Sequence, residues 1–305
     1  MTILSTIKAL VITTIVVVNV YCVTVANAND YFLTKEGAKV WNPTPISGMS
    51  VTWSGEKDTD GYVTGSGVLQ YYVKDKEADR FEGIMLKGKF HGPGKLVSLP
   101  RFYDGDFADG KFHGKGVLAV IPKGPFYNGD FKEGLFDGNG FLQYPDGNKY
   151  QGQFVRGFPH GRGELFYANG DIYEGEFVSG KPSGRGKSKG QDGRLYEGDY
   201  LNGVPNGKGV YRFSLDEKTT ITYSGDFVNG QMHGKGVLEY SSGLVYEGEF
   251  VNGVPQGKGT MRFANGASYI GEFSQGKPHG YGTLYNPDGT IKQQGKWRNG
   301  DYLGQ

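Results

Sequence analysis

The chain has 305 residues, with 33 Lys and Arg against 32 Asp and Glu and a formal net charge of +1. That balance excludes the basic field of a general nucleic-acid binder. A single cysteine, Cys22, excludes a disulfide framework. The 53 glycines exceed twice the usual share of about 7%. Such a bias signals either disorder or tight turns, and the spacing of these glycines selects turns.

The first 28 residues carry one charge, Lys8, then an apolar run from Ala9 to Val25, then Ala26-Asn27-Ala28. A charged start, an apolar middle and a small-x-small end form a secretory signal peptide. Cutting is expected after Ala28, which exports the chain to a periplasm, a cell surface or the medium. The alternative is a retained N-terminal membrane anchor. Removing the leader removes Cys22 and Lys8 and leaves a mature net charge near zero. Residues 29–52 form a lead-in segment, and 53–305 a repeat array.

Within that array, tyrosines lead copies of one pattern at Tyr103, Tyr127, Tyr150, Tyr173, Tyr196, Tyr223, Tyr246 and Tyr269. The gaps between them are 24, 23, 23, 23, 27, 23 and 23 residues, a period that marks a repeat architecture. With the tyrosine as position 0, positions 0, 2 and 4 are Tyr, Gly and Phe, so they share one face of a strand. Positions 1 and 3 face the other way and are polar, as in Glu174 and Glu176 or Glu247 and Glu249. A second strand follows Gly-x-Gly at positions 11 and 13, with apolar residues at 15 and 17, such as Leu142 and Tyr144 or Leu238 and Tyr240. Asn202-Gly203, Asn229-Gly230 and Asn252-Gly253 end the first strand; Asp146-Gly147, Asn169-Gly170 and Asp288-Gly289 end the second. Such pairs tolerate positive φ and are hairpin signals. No stretch between them keeps a 3.6-residue apolar period. The expected fold is therefore all-β: an elongated, twisted, single-layer antiparallel meander of about ten hairpins. Acids at position 3 (Asp106, Asp130, Glu176, Asp199, Asp226, Glu249, Glu272) and bases at position 12 (Lys115, Arg162, Arg185, Lys208, Lys235, Lys258) are expected to pair across strands.

These residues resemble MORN (membrane occupation and recognition nexus) repeats, whose motif Tyr-x-Gly-x-Phe/Trp-x-x-Gly-x-x-x-Gly-x-Gly is matched from Tyr127 to Gly282, with the strongest copies over 103–292. Weaker copies start at Phe81 and Trp53, and a partial one runs from Gln293 to Gly300. The resemblance implies a hairpin-sheet scaffold, a dimerisation surface or a lipid-contacting module. It implies no cofactor.

The candidate sites are weighed against their place in the repeat. His91, His113, His160, His233 and His279 all stand at position 10, about 9–10 Å apart in adjacent copies by strand spacing, too far to share a metal. Recurring Glu pairs have no reason to be catalytic dyads. No metal site and no catalytic residue is therefore expected. The aromatic rows could form a binding rail, mostly packed but with part of each ring exposed. Its residues are Tyr127, Tyr150, Tyr173, Tyr196, Tyr223, Tyr246 and Tyr269 at position 0, with Phe131, Phe154, Phe177, Tyr200, Phe227, Phe250 and Phe273 at position 4. In the copy starting at Tyr173, Ser188 and Gly190 replace the usual apolar pair, and Lys181, Arg185, Lys187, Lys189 and Arg194 cluster. That stretch reads either as an anion or partner contact or as a degenerate strand without apolar packing. The 27-residue gap places a long loop over Ser214–Thr222.

Together these features predict a non-enzymatic exported scaffold that binds a protein, or an envelope or membrane surface. The alternative is a glycan- or lipid-binding module using the aromatic rail. Nucleic acid is not an expected partner, and open sheet edges leave room for a homodimer.

Overall fold

The computed structural model describes residues 31–42 and 46–305; the expected leader lies outside them. The described residues form no helix, only strands joined by short turns. They divide into two compact units, one ending at Ala168 and one running from Asn169 to Gln305. Each is an antiparallel hairpin meander. In neither does the last strand pair back onto the first, so each sheet is open.

The first unit opens with a small hairpin, Tyr31–Leu33 against Lys39–Trp41. It is docked: Val40 and Ala38 are buried. The Lys39 N–H donates to the Gly61 carbonyl at 2.7 Å, and the Trp41 N–H to the Gly88 carbonyl at 2.8 Å. The meander itself begins with Met49–Trp53, paired to Val63–Val73, so the array reaches into the segment assigned to 29–52. It continues hairpin by hairpin to Phe158–Phe166. The second unit runs from Ile172–Val178 to Asp301–Gly304.

The two kinds of turn differ. In the first, both central residues take positive φ: Asn202 and Gly203 at 51° and 89°, Ser179 and Gly180 at 48° and 84°. This is the mirror-image turn whose twist matches the strands. In the second, only the glycine does, as at Gly147 (91°) and Gly289 (86°). The preceding Asp works through its carboxylate instead. Asp146 accepts the Asn148 N–H at 3.0 Å and Asp288 the Thr290 N–H at 2.9 Å. The Asx-Gly pairs thus make two different turns, and only the first uses positive φ at both residues.

Each Tyr-led hairpin carries a bulge. Gly175 pairs with Gly186, but the next pair is Phe177 with Pro182, so one residue faces three. The extra residues turn at Gly184, whose φ is 97°, which explains glycine at position 11. The position-3 acid closes the bulge by accepting the position-12 N–H: Asp199 from Lys208 at 2.9 Å, Asp130 from Asn139 at 2.9 Å, Asp226 from Lys235 at 3.1 Å. Copies are also tied at their tips. The turn glycine's N–H donates to the position-9 carbonyl of the copy before, as from Gly253 to Met232 and from Gly276 to Pro255.

The core is the Tyr and Phe face. Each tyrosine ring lies on the glycines at 2 and 13, so a Cβ on Gly175 or Gly186 would fall 2.6 Å or less from the Tyr173 hydroxyl oxygen. That hydroxyl donates to the position-3 carbonyl in all eight copies, from 2.8 Å (Tyr103 to Asp106) to 3.2 Å (Tyr269 to Glu272). This bond accounts for tyrosine rather than phenylalanine at position 0. The position-4 ring meets its own tyrosine edge-on and also that of the preceding copy: Phe250 lies 5.2 Å from Tyr246 and 4.9 Å from Tyr223. Phe112 and Phe136 stack on Tyr103 and Tyr127 at 3.8 and 3.7 Å; several other copies place Pro there.

Trp53 takes the same role. Its ring covers Gly55 and Gly67, and its Nε1–H donates to the Glu56 carbonyl at 2.7 Å, the bond a tyrosine hydroxyl makes elsewhere. Trp297 stands at position 4 of the last, partial copy, 5.1 Å from Tyr269. The loop expected over Ser214–Thr222 is shorter than that, with strand at both of its ends. Val204–Ser214 and Thr220–Val228 extend the hairpin, and only Leu215–Thr219 turns. Ile221 is buried there, which gives the lengthened strands an apolar anchor.

Candidate binding groove

On the second unit, the face opposite the rings holds a groove of about 1460 Å³. Positions 1, 12 and 14 line it because side chains alternate along each strand. Its central row follows the strand register: Glu197, Val210, Ser224, Val237, Glu247, Thr260, Ile270. Two acids, Glu197 and Glu247, stand in this row, with the uncharged Val210, Ser224 and Val237 between them. The bases Arg185, Lys208, Lys235 and Lys258 form a parallel row, with Lys187, Arg212 and Arg262 also on the lining.

The expected acid–base pairing occurs between copies for part of that row. Arg185 Nε lies 3.3 Å from Asp199, and Lys208 Nζ lies 2.5 Å from Asp226. The first unit repeats it at Lys115 and Asp130, 2.8 Å apart. Hydrogen bonds from Lys208 and Lys115 hold the Asp226 and Asp130 carboxyls below their usual range. These pairs are solvated and each adds little stability. Lys187, Arg212, Lys235 and Lys258 form no ion pair among the described residues. Their charge is therefore available to an occupant. The groove can hold an extended chain with acidic and small apolar side chains.

The aromatic rail lies on the other face, and it is core. Tyr127, Tyr150, Tyr173, Tyr196, Tyr223, Tyr246 and Tyr269 are no more than 3% exposed, and Phe131, Phe154, Phe177, Tyr200, Phe227, Phe250 and Phe273 no more than 4%. The expectation that part of each ring is exposed is corrected: glycines below, neighbouring rings beside and the position-9 side chain cover them. Burial pushes the tyrosine hydroxyls up, to about 12 for Tyr246 and Tyr269.

The basic cluster separates. Arg185 and Lys187 line the groove. Lys181 and Lys189 sit exposed at the two ends of their strand. Arg194 pairs with Asp192 in the turn, at 2.5 Å. Ser188 is not a packing defect: it is buried, and the Tyr200 hydroxyl donates to its Oγ at 2.7 Å. Tyr200 replaces the usual Phe and Ser188 the usual Leu, so the two departures compensate.

Reading the sequence missed the uncharged members of the central row. Their signal was available, since Val210, Val237 and Thr260 share position 14 with Lys187. The histidines sit in the bulges; among the described residues no three His, Cys, Asp or Glu side chains could jointly hold a metal.

No curated protein matches the chain. The family model for the MORN repeat matches nine stretches: 81–98, 103–119, 127–149, 150–172, 173–193, 196–214, 223–245, 246–268 and 269–291. Together they cover more than half of the chain, and the Trp53 copy, built the same way, precedes them. The chain belongs to the MORN-repeat family.

Proposed function

We propose that the protein is a non-enzymatic exported scaffold whose groove docks an extended segment of a partner protein. The observation that carries this reading is the groove itself: a trough across consecutive strands, with Lys235 and Lys258 unpaired beside Val237 and Ile270. Electrostatic complementarity of that kind selects an acidic segment and fixes its register. A non-catalytic role is favoured by where the strongly shifted groups lie. They are tyrosines of the core, eight of which donate to main-chain carbonyls. Burial of the rings removes the motive for a glycan or lipid rail. Export rests on the leader sequence.

Reversing two groove charges, Lys235→Glu with Lys258→Glu, tests the docking reading. Recovery of the partner should fall by about tenfold or more while the β-sheet circular dichroism is kept. Recovery equal to wild type would sink the groove assignment. Export is tested separately: N-terminal sequencing of the protein from its native cells should begin at Asn29, and a start at Met1 contradicts cleavage.

A further inference from the structure

Position 12 of the repeat carries Arg185, Lys208, Lys235 and Lys258 in consecutive copies of the second unit, and in the next copy it carries Tyr281. All five line the groove. Each stands two strands from the next, so the row repeats about every 9.6 Å. The later members are open to solvent: Lys235 and Lys258 are exposed, and Tyr281 is 60% exposed, with Lys296 Nζ 5.7 Å from its ring centre. Glu249 and Glu272 face the two lysines across the strands, but their carboxylates lie over Gly257 and Gly280 in the bulges. Glu247 on the floor is met by Arg262 at 3.5 Å. Two unpaired cations and an aromatic ring thus follow one another at the spacing of one hairpin.

That spacing selects the conformation of an occupant lying along the groove. Three residues of a polyproline II helix rise about 9.3 Å and complete one turn, so every third side chain returns to the same side. Three residues of a β-strand cover about 9.9 Å but put successive acids on opposite faces. Seven residues of an α-helix rise about 10.5 Å and overrun the row by about 2 Å over two hairpins. The sheet adds a second reason. Its N–H and C=O groups are committed to neighbouring strands, so a strand laid across this face finds no ladder to join. A polyproline II backbone needs none, and proline has no N–H to satisfy. An exposed aromatic ring such as Tyr281 is the surface against which such segments pack.

We propose that the occupant of the groove is a polyproline II segment with acidic residues three apart, on Lys235 and Lys258, and a proline three further on against Tyr281. This rests on the groove reading and names the class of segment the groove takes.

The test uses the full chain and fluorophore-labelled synthetic peptides, read by anisotropy. The peptide (Glu-Pro-Pro)4 has an acid at every third residue. A second peptide has the same composition with its Glu residues at alternate positions. A third, (Glu-Gly-Ser)4, keeps the period in a flexible chain. The first should bind about tenfold tighter than either of the others. Lys235→Gln with Lys258→Gln should cut its affinity by about tenfold or more, while Lys115→Gln, in the first unit, should not. Tyr281→Ser should weaken (Glu-Pro-Pro)4 and leave (Glu-Gly-Ser)4 unchanged. Binding that ignores the spacing of Glu, or no binding of (Glu-Pro-Pro)4, overturns the proposal. The groove reading has a separate readout, recovery of the native partner, which uses no peptide, so the two fail independently.

Discussion

The Tyr200 hydroxyl donates to Ser188 Oγ at 2.7 Å, and both groups are buried. Either partner alone would be a fault in the repeat, since a lone hydroxyl in that layer has no partner. Tyr200→Phe should cost about 1–3 kcal/mol by stranding Ser188, and Ser188→Leu should cost at least as much by stranding the phenol and crowding it. The double variant restores the pair found in neighbouring copies. Urea denaturation should find it more stable than either single variant; strictly additive losses would contradict the coupling.

Glycines divide by what surrounds them. A Cβ on Gly186 would meet the Tyr173 ring and hydroxyl at about 2.5 Å or less, whereas one on Gly253 meets nothing within 4 Å but sits at φ 84°. Gly186→Ala should therefore cost about 3 kcal/mol or more through displacement of the ring. Gly253→Ala should cost about 1–2 kcal/mol through backbone strain alone. Thermal unfolding of the two variants checks the order.

Alkaline stability follows from the core tyrosines. Burial raises the Tyr246 and Tyr269 hydroxyls from 10.0 to about 12, while unfolded tyrosines ionise at their ordinary value. The sign is that of a group with a raised folded pKa: its contribution is complete below pH 10 and is lost as pH rises towards 12. Because several tyrosines share this burial, tyrosinate absorbance and loss of sheet circular dichroism should rise together in one steep step. Gradual tyrosine ionisation with the sheet intact would contradict their burial.

Trp53 gives a test of how far the repeat extends. Its ring lies on Gly55 and Gly67 as the tyrosines lie on theirs. Trp53→Ala should destabilise the first unit by about 3–5 kcal/mol. Trp53→Phe should cost less, by retaining a lid over the glycines while losing the bond to the Glu56 carbonyl. Chemical denaturation of both variants reads the difference.

The period of Tyr, Gly and Phe made the hairpins legible, because two-residue alternation and Asx-Gly turns are local signals. What was not legible depends on neighbours. The bulge that closes on Asp199 and the bond between Tyr200 and Ser188 join residues from facing strands, and neither follows from one copy alone. The same holds for the rings. Their residue types suited a rail as well as a core, and only the stacking of copies decides for the core. The groove was hidden for a different reason: its central row draws alternately on positions 1 and 14, where residue types vary from copy to copy.

Site-specific photocrosslinking in the native cells tests the central claim most directly. A crosslinker at Val237 on the groove floor should capture one partner, and the same partner should be captured from Thr260 two strands on. Gln231, exposed at a turn away from the floor, serves as the control. Capture of that partner from Val237 and Thr260 but not from Gln231 is the predicted result; equal capture from all three positions, or none from the groove, would contradict the account.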